Sequence, residues 1–547
     1  MQTPGTRSRK GAPPLGDNST MDAVPSPYEG GTICNDIFSE QQFTNLMASI
    51  NNTDDWIGLG QDQALLVSCH GMSLPSSFEA TAEAHAPNLD MDASCEDGSR
   101  PGTEHEPLST VGALTWTDPG LIPWLSPTLA SPSEELAFSY YINDASTRIP
   151  AFDSPKNPYR KLCLVAISYP LLLQTILYVS AISMKNHDKG DEDAITHCRA
   201  QALLLLQKGV AMLETQKAAG GPRWMDHDQI FSVLSLKEVT LAAYLMHIAA
   251  EVMVGSQTAG AYLQDAYSLM MELDYIDHLP QRFYARFLTQ RFAMIDVVLS
   301  FLRHRKPFAP KHFVLYQPIE GVDEQEPSFR ELTGCPQAVL SFLARISILA
   351  NEISRDSCAH IAEAYQLESE MRLWGALRYP GPLSGNAHLL EIMPGDGAGA
   401  RDVRQIQLDI LGECFYWVAH LLLARRVLLD STASGRVQLY REHLFVLMDR
   451  LPAGCGPDSS LPFPFYMAAR EAMSSQDREW VRRKHADMLS QYRDRSRQLM
   501  MSLTEEIWRR NDYDMAAMTE ESPSPNVWVN DDIYIGILDS QASHFVF

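Results

Sequence analysis

From about Glu134 onward, apolar side chains recur at steps of three or four along the chain. The clearest stripe includes Val403, Ile406 and Ile410. Because 3.6 residues complete one turn of an α-helix, this spacing places the apolar side chains on one face. The pattern predicts a helix over residues 402–429 with one buried face.

The same period recurs through most of the remaining chain, whereas strand-like alternation is almost absent. The best alternating run, Ile533–Leu538, is short. Prolines punctuate the periodic segments, as expected for a residue that breaks the helical hydrogen-bond ladder. The sequence therefore predicts an all-α fold, a large multi-helix domain over residues 134–547 without a fixed-period repeat. Further helices are predicted over 134–147, 159–168, 170–185, 193–218, 228–254, 257–273, 281–304, 339–353, 357–378, 436–451, 463–474, 476–488 and 491–510.

The first 130 residues have a different composition. Residues 1–135 hold 19 acidic and 4 basic residues, so they carry −15 of the net charge of −24. They are rich in Pro, Gly, Ser, Thr, Asn and Asp, and they show no sustained helical period. Such a segment has too few apolar clusters to offset the conformational entropy that ordering costs. We predict a disordered acidic N-terminal tail over 1–130, which can be removed without unfolding the rest.

One apolar run, Leu162–Met184, is long enough for a transmembrane helix, which needs about 20 apolar residues. Two interpretations are open: a buried pair of helices in a soluble fold, and a membrane span. Pro170 divides the run into two short pieces and favours the helix pair. No membrane association is therefore predicted.

Common catalytic motifs are absent from the sequence. It contains no G-x-S-x-G, no G-x-x-x-x-G-K-[ST] and no H-E-x-x-H. The glycine-rich segment 395–400 follows Leu-Glu-Ile-Met-Pro rather than a strand, so we interpret it as a linker between helices. We predict that the protein is not an enzyme and has no catalytic residue and no cofactor.

The nine cysteines do not have the spacing of a metal site. A structural zinc site needs close pairs such as C-x2-C, and no two cysteines lie within three residues of each other. The N-terminal ones, Cys34, Cys69 and Cys95, are far apart, and Cys414 shares an apolar stripe with Trp417. We predict a buried core position for Cys414, and no bound metal.

The charge of the chain does not favour nucleic-acid binding, because a net charge of −24 repels phosphate groups. The N-terminal cluster Arg7, Arg9 and Lys10 has enough charge for only weak nucleic-acid binding. Its alternative interpretation is a fragment of a nuclear localisation signal. Three other basic runs punctuate amphipathic helices, and we predict that they are solvated helix faces. These runs are 303–306, 425–426 and 482–484.

Within the acidic tail, residues 33–60 alternate aromatic and aliphatic side chains with acidic and amide ones. Acidic neighbours keep apolar groups solvated until they dock in the hydrophobic groove of a partner. This composition is typical of a transcriptional activation segment, and the alternative is a chance apolar island in a disordered tail. The candidate docking side chains are Phe38, Phe43, Leu46 and Trp56.

A series of short motifs runs through the helical region in a defined order. They are Glu134–Ile142, Phe152–Lys161, Ser168–Pro170, Tyr262–Ala266, Arg291–Asp296, Arg305–Pro307, Gly334–Pro336, Trp374, Leu461–Ala472, Asp477–Val481 and Ile507–Trp508. In this order and spacing they resemble the fungal-specific transcription factor domain, which follows binuclear zinc-cluster domains in fungal regulators. The most specific part is Leu461–Ala472 followed by Asp477–Val481.

These motifs also have structural explanations of their own. Pro462 and Pro464 are expected to set the start of a helix, and Trp508 to fill a core. Asp296 is expected to pair with Arg291 one turn away. The function, in contrast, follows only from the resemblance.

The resemblance implies a pathway-specific fungal transcription regulator in the nucleus, for example of secondary metabolism. The family's compact N-terminal cysteine cluster, which holds zinc and a DNA-reading helix, is not found here, so direct DNA binding is not predicted. Either the regulator has lost the cluster or the sequence begins after it. The implied partners are the transcription machinery or a DNA-binding partner protein, a small-molecule effector and a second copy in a homodimer. The alternative is a helical scaffold or small-molecule-binding protein that reuses the fold without a transcriptional role.

Overall fold

The computed structural model describes Leu129 and residues 131–520, apart from 219–232, 257, 318–325, 353–356, 377 and 380–402. The side chains at 357–359 and 513–520 are also outside the description. Several predictions therefore fall outside the described residues. They concern the tail 1–130 (Leu129 excepted), the segment 33–60 with Phe38, Phe43, Leu46 and Trp56, the basic cluster Arg7, Arg9 and Lys10, the cysteines Cys34, Cys69 and Cys95, and the runs 395–400 and 533–538.

The described residues form α-helices joined by turns, with no β-strand among them, which confirms the all-α prediction. The helices are α1 (Pro132–Tyr140), α2 (Pro158–Ala166), α3 (Pro170–Asn186), α4 (Glu192–Ala218), α5 (Leu236–Met253), α6 (Ala259–Glu272), α7 (Phe283–Leu302), α8 (Phe329–Thr333), α9 (Gln337–Ala350), α10 (Ser357–Ala376), α11 (Val403–Leu422), α12 (Gly435–Asp449), α13 (Pro462–Ala469), α14 (Ser475–Gln491) and α15 (Arg495–Glu520). A π-helical turn, Tyr141–Ala145, extends α1 into Ser146–Arg148, and a second, Leu423–Val427, extends α11. Short 3-10 turns lie at Val314–Tyr316 and Gly456–Ser460.

The starts of the helices follow local sequence chemistry. Proline is the first residue of α1, α2, α3 and α13, where its missing N–H has no helical partner to lose. A capping box opens α5, because Ser235 and Glu238 each accept a hydrogen bond from the other's backbone N–H. This cap places the first residue of the helix at Leu236. Residues 233–235 are not helical, so the predicted continuous helix over 228–254 was wrong there, because the helical spacing of apolar residues does not reveal the cap.

The short helix α8 was not predicted from the sequence. It begins with a second capping box, Ser328 with Glu331, and ends at Gly334. Gly334 has a φ of 76°, a conformation that favours glycine, and its N–H donates to the carbonyl oxygen of Arg330 at 2.8 Å. A Cβ atom at this position would lie 2.3 Å from a methyl carbon of Leu411, so packing against α11 also requires glycine.

The helices at the centre of the fold are buried around most of their circumference. These are α3, α5, α7, α11 and α13, in which apolar residues occur on all sides. α3 packs against α4 and α5, α5 against α6, and α11 against α12, while α9 contacts both α7 and α11. Cys414 and the indoles of Trp417 and Trp508 are buried in this core, as predicted.

The apolar run Leu162–Met184 forms two helices, which confirms the predicted pair. α2 ends at Ala166 and α3 begins at Pro170, and both are largely buried. Among the described residues, a different helix, Val403–Val427, is long and apolar enough to cross a membrane by length and composition. Because 83% of its apolar window is buried inside the fold, it also fits the description of a core helix.

Candidate functional site

A cavity of about 100 Å³ lies among the central helices. It is bounded by the extension of α1, the C-terminal halves of α3 and α5, the middle of α7 and α11, and the turn between α14 and α15. We call it the arginine cavity. Its lining residues are Ala145, Arg148, Ile149, Val179, Ser183, His187, Ala249, Met253, Arg291, Met294, Thr333, Phe415, Ser459, Ser460, Phe463, Tyr492, Asp494 and Arg497.

The walls of the arginine cavity differ in exposure. Val179, Phe415 and Phe463 are buried apolar side chains. Arg148 and Asp494 are partly exposed, with side-chain exposures of 34% and 21%. The cavity therefore has a closed apolar end and a polar rim within reach of solvent, the usual make-up of a small-molecule site.

Arg497, in the first turn of α15, is the most buried of the cavity arginines, with an exposure of 2%. Its Nη2 donates to the carbonyl oxygen of Ser459 at 3.0 Å, and its guanidinium lies 4.4 Å from the ring centre of Tyr492. Its Nε lies 3.8 Å from a carboxylate oxygen of Asp494, which is beyond hydrogen-bonding distance. Within the described residues, Nε and Nη1 of Arg497 have no hydrogen-bond acceptor.

Arg291 occupies the middle of α7, a helix that is largely buried. The residue is 9% exposed, and its guanidinium lies 6.0 Å from the ring centre of Tyr159. Burial lowers the pKa of Arg291, while the neighbouring Tyr159 and Tyr141 act in the opposite direction. Because α7 also contains Arg286 and Asp296, the charge of Arg291 alone does not distinguish this position in the sequence.

The predicted pairing of Arg291 with Asp296 was wrong. The Asp296 carboxylate accepts from the Arg305 guanidinium at 3.2 Å and from the backbone N–H groups of Phe308 and Ala309 at 2.9 and 2.8 Å. Residues five positions apart point in directions that differ by about 140° around an α-helix. Asp296 therefore faces the loop after α7, and Arg291 faces the cavity.

The rim of the arginine cavity is held by contacts between α3 and the turn before α15. Arg148 donates to Nε2 of His187 at 2.5 Å, and Nδ1 of His187 lies 2.8 Å from the carbonyl oxygen of Ser183. Nε2 of His187 also lies 3.2 Å from the carbonyl oxygen of Gln491, the last residue of α14. Asp494 accepts from the amide of Asn186 at 3.1 Å. The rim is thus an ordered polar network rather than a set of loose side chains.

The side chains that line the arginine cavity carry a positive formal charge, although two acids outside the lining face its arginines: Asp144 lies 3.5 Å from Arg148, and the buried Asp458 interacts electrostatically with Arg497. Three arginines and one aspartate line it, so its formal charge is +2 when His187 is neutral. The whole chain has a net charge of −24, so this local excess is opposite in sign to the protein. Buried positive charge in a cavity favours an anion.

A smaller cavity of about 10 Å³ adjoins the first and shares Ile149, Ala249 and Arg291 with it. Its remaining walls are Tyr159 and the apolar side chains of α2, α5 and α7. A space of this size holds about one water molecule. It continues the arginine cavity into an apolar part of the core.

A second group of buried charges lies at the end of α13. Glu471 is 1% exposed, and its carboxylate accepts from Nε of Arg425 at 3.1 Å and from the hydroxyl of Thr432 at 2.8 Å. Nε of Arg470 lies 3.5 Å from the same carboxylate. Burial alone raises the pKa of Glu471, but Arg425, Arg470 and Thr432 outweigh it and hold the pKa below its ordinary value. We call these four residues the Glu471 network.

The predicted assignment of three basic runs to solvated helix faces was partly wrong. Arg425, Arg426 and Lys484 are buried, with exposures of 8%, 9% and 5%. Arg425 pairs with Glu471, and Lys484 donates to the carbonyl oxygen of Leu451. Their partners lie 46 and 33 residues away in sequence, so local spacing could not reveal them. The prediction was correct for Arg482 and Arg483, which are exposed on α14, whereas Lys306 is exposed but lies beyond the end of α7.

Among the described residues, no cluster of three His, Cys, Asp or Glu side chains could hold a metal ion. Five cysteines are described, and all five are free thiols: Cys163, Cys198, Cys335, Cys414 and Cys455. Burial raises the pKa of Cys198 and Cys455 to about 11, so these thiols are protonated and poorly nucleophilic at neutral pH.

A family model described as the fungal specific transcription factor domain matches residues 135–531. This match covers most of the chain and all of the described helices from α2 to α15. The chain belongs to the family of fungal specific transcription factor domains, as the sequence motifs predicted, and this membership makes it a fungal transcription regulator. Neither a curated protein sequence nor a solved structure showed significant similarity to the chain.

Proposed function

We propose that the protein is a pathway-specific fungal transcription regulator, for example of secondary metabolism, that acts in the nucleus. The observation that carries this proposal is the family match over residues 135–531, which coincides with the helical region. The family implies a regulator rather than an enzyme. The helical domain serves as the regulatory part, and DNA is reached through a DNA-binding partner protein.

The acidic segment 33–60 supplies contact with the transcription machinery in this proposal. Phe38, Phe43, Leu46 and Trp56 are the groups that dock, because burial of one such side chain contributes roughly 1.5–3 kcal/mol. The acidic residues around them maintain solubility and steer the encounter with a partner.

A tethered reporter tests the transcriptional role. The full chain and residues 33–60 alone are each fused to a heterologous DNA-binding domain in a fungal host. We expect both fusions to raise reporter transcription. Replacement of all four docking side chains by Ala should abolish most of the effect, whereas Asp54→Asn with Asp55→Asn, as the control, should reduce it much less, since exposed charges contribute about 0–1 kcal/mol each.

Two results of this reporter would count against the proposal. If the full-length fusion leaves transcription unchanged, the alternative of a helical scaffold or small-molecule-binding protein without a transcriptional role is favoured. If only the segment is inactive, the activation role of 33–60 fails and the segment is then a plain linker.

Sedimentation of the purified chain checks the predicted homodimer, for which we expect twice the monomer mass.

A further inference from the structure

We propose that the arginine cavity binds a small organic anion, a carboxylate carried on an apolar body. Its role as the effector of a regulator rests on the proposed function, whereas binding itself does not. The first argument is the state of Arg497. This guanidinium is almost completely buried, yet its Nε and Nη1 have no hydrogen-bond acceptor within the described residues.

Buried donors that lack an acceptor lose their hydration without compensation, and the loss is larger for charged groups. The nearest acid, Asp494, is 3.8 Å from Nε and already accepts from Asn186. A carboxylate in the cavity would accept the N–H groups of Arg497 that no protein atom takes. Guanidinium groups match carboxylates especially well, because two parallel N–H groups meet the two oxygens.

The remaining walls define the rest of the ligand. Val179, Met253, Met294, Phe415 and Phe463 provide apolar contacts that a fully hydrated inorganic ion would not use. The adjoining small cavity extends this apolar surface past Arg291 toward α2. The ligand chemistry that fits is therefore an acid head group with an aliphatic or aromatic body, rather than a free phosphate or a neutral hydrocarbon.

The position of the cavity connects ligand binding to the fold. Arg497 lies in the first turn of α15, Tyr492 and Asp494 lie in the turn before it, and Arg291 is in the middle of α7. A carboxylate held by the cavity arginines joins the start of α15 to the central helices. Occupancy should consequently stabilise the attachment of α15, the last described helix.

The test measures binding to the purified full-length protein. The probes are phenylacetate and hexanoate, each compared with its neutral amide, phenylacetamide or hexanamide. We expect the carboxylates to raise Tm in a concentration-dependent way and to give a calorimetric binding isotherm, and the amides to do neither. Arg497→Met should weaken carboxylate binding about 10- to 100-fold, as expected for the loss of hydrogen bonds to a charged group.

Further variants keep the test decisive. Ala249→Leu fills the space between the two cavities and leaves all three arginines in place, so it should also abolish binding. Arg291→Met provides an independent arginine variant if Arg497→Met does not fold. Arg509→Gln, at an exposed position on α15 that pairs with Glu506, is the matched control and should bind as the parent does.

Three outcomes would overturn the inference: no Tm shift with either carboxylate at millimolar concentration, equal shifts with the amides, or parental affinity in Arg497→Met and Ala249→Leu. The reporter assay separates this result from the proposed function. An active reporter fusion with no carboxylate binding refutes only the cavity ligand, and carboxylate binding with an inactive fusion refutes only the transcriptional role.

Discussion

The Glu471 network and the arginine cavity both bury arginine side chains, but they compensate the charge differently. In the Glu471 network, Arg425 meets a carboxylate at hydrogen-bonding distance, and Thr432 occupies the second carboxylate oxygen. In the arginine cavity, Arg497 is also buried, but its contacts are a carbonyl oxygen, an aromatic ring and a carboxylate at 3.8 Å.

This difference shows what each arrangement is suited to do. A buried ion pair that is fully hydrogen-bonded fixes neighbouring helices, and removal of one partner leaves an uncompensated charge. A buried arginine beside a cavity adds little to the stability of the fold by itself, but its free N–H groups can donate hydrogen bonds to a bound anion. We therefore interpret the Glu471 network as structural and the arginine cavity as a binding site.

The largest expected effect is on stability. Glu471→Gln removes the carboxylate and leaves Arg425 and Arg470 buried, so it should reduce the free energy of unfolding by about 3–5 kcal/mol. Urea denaturation followed by circular dichroism measures this change. Glu506→Gln, at a partly exposed carboxylate on α15 that pairs with Arg509 and Arg510, is the control and should shift the unfolding curve far less. A loss in Glu471→Gln no greater than in the control would refute the structural role of the network.

The pH dependence of the free energy of unfolding, compared between the parent and Glu471→Gln, tests the same pairing in a second way. The pKa of Glu471 is lowered in the folded state, so the unfolded state, with an ordinary value of about 4.3, takes up the proton first. Stability from this group is therefore complete above about pH 4.3 and is lost as pH falls through the folded-state pKa. The difference between the parent and Glu471→Gln should be largest at neutral pH and shrink on acidification below about pH 4.3. A difference that stays constant down to acidic pH would contradict the pairing.

Arg497→Met should have a much smaller effect in the absence of ligand. The substitution loses the hydrogen bond to Ser459 and the attraction between Arg497 and the buried Asp458, but it also removes a buried charge whose Nε and Nη1 have no acceptor among the described residues. These effects oppose each other, so the free energy of unfolding should stay within about 1 kcal/mol of the parent value. Urea denaturation of the two proteins side by side provides the measurement. If Arg497→Met destabilises the fold as much as Glu471→Gln, the two regions do not differ as we propose.

The smallest expected effect is that of removing residues 1–130. Both buried-charge regions lie within residues 131–547, and the acidic tail has few apolar groups to contribute to a core. The shortened chain should unfold cooperatively with the Tm of the full chain, and limited proteolysis should release a helical fragment that begins near residue 130. Loss of cooperative melting in the shortened chain would show that the tail is part of the folded domain.

Much of the fold could be predicted from the sequence because helices are local. Apolar spacing located α3 and α11, and the position of Pro170 separated α2 from α3. The boundaries that were missed depend on side-chain caps, as at Ser235, or on close packing, as at Gly334. Such features do not alter the apolar period.

The candidate site could not be predicted in the same way. Arg497 stands in a polar stretch, Asp494-Arg-Ser-Arg-Gln498, in which nothing distinguishes a buried arginine from an exposed one. Arg425 likewise follows an apolar helix and meets a partner that lies far away in sequence. Whether a charged side chain is buried depends on which helices pack together. This is a property of the tertiary structure, and local sequence patterns do not reveal it. The segment 33–60 lies outside the described residues, so its activation role stays a prediction.

The most direct test of the account is the rise in Tm that phenylacetate produces in the parent, Glu471→Gln and Arg497→Met. A ligand that binds only the folded state raises the free energy of unfolding by RT ln(1 + [L]/Kd), whatever the starting stability. We predict that Glu471→Gln melts at a lower temperature but keeps the phenylacetate-dependent rise, and that Arg497→Met melts like the parent but loses it. A full rise in Arg497→Met, or none in the parent, would contradict the assignment of the arginine cavity as a binding site.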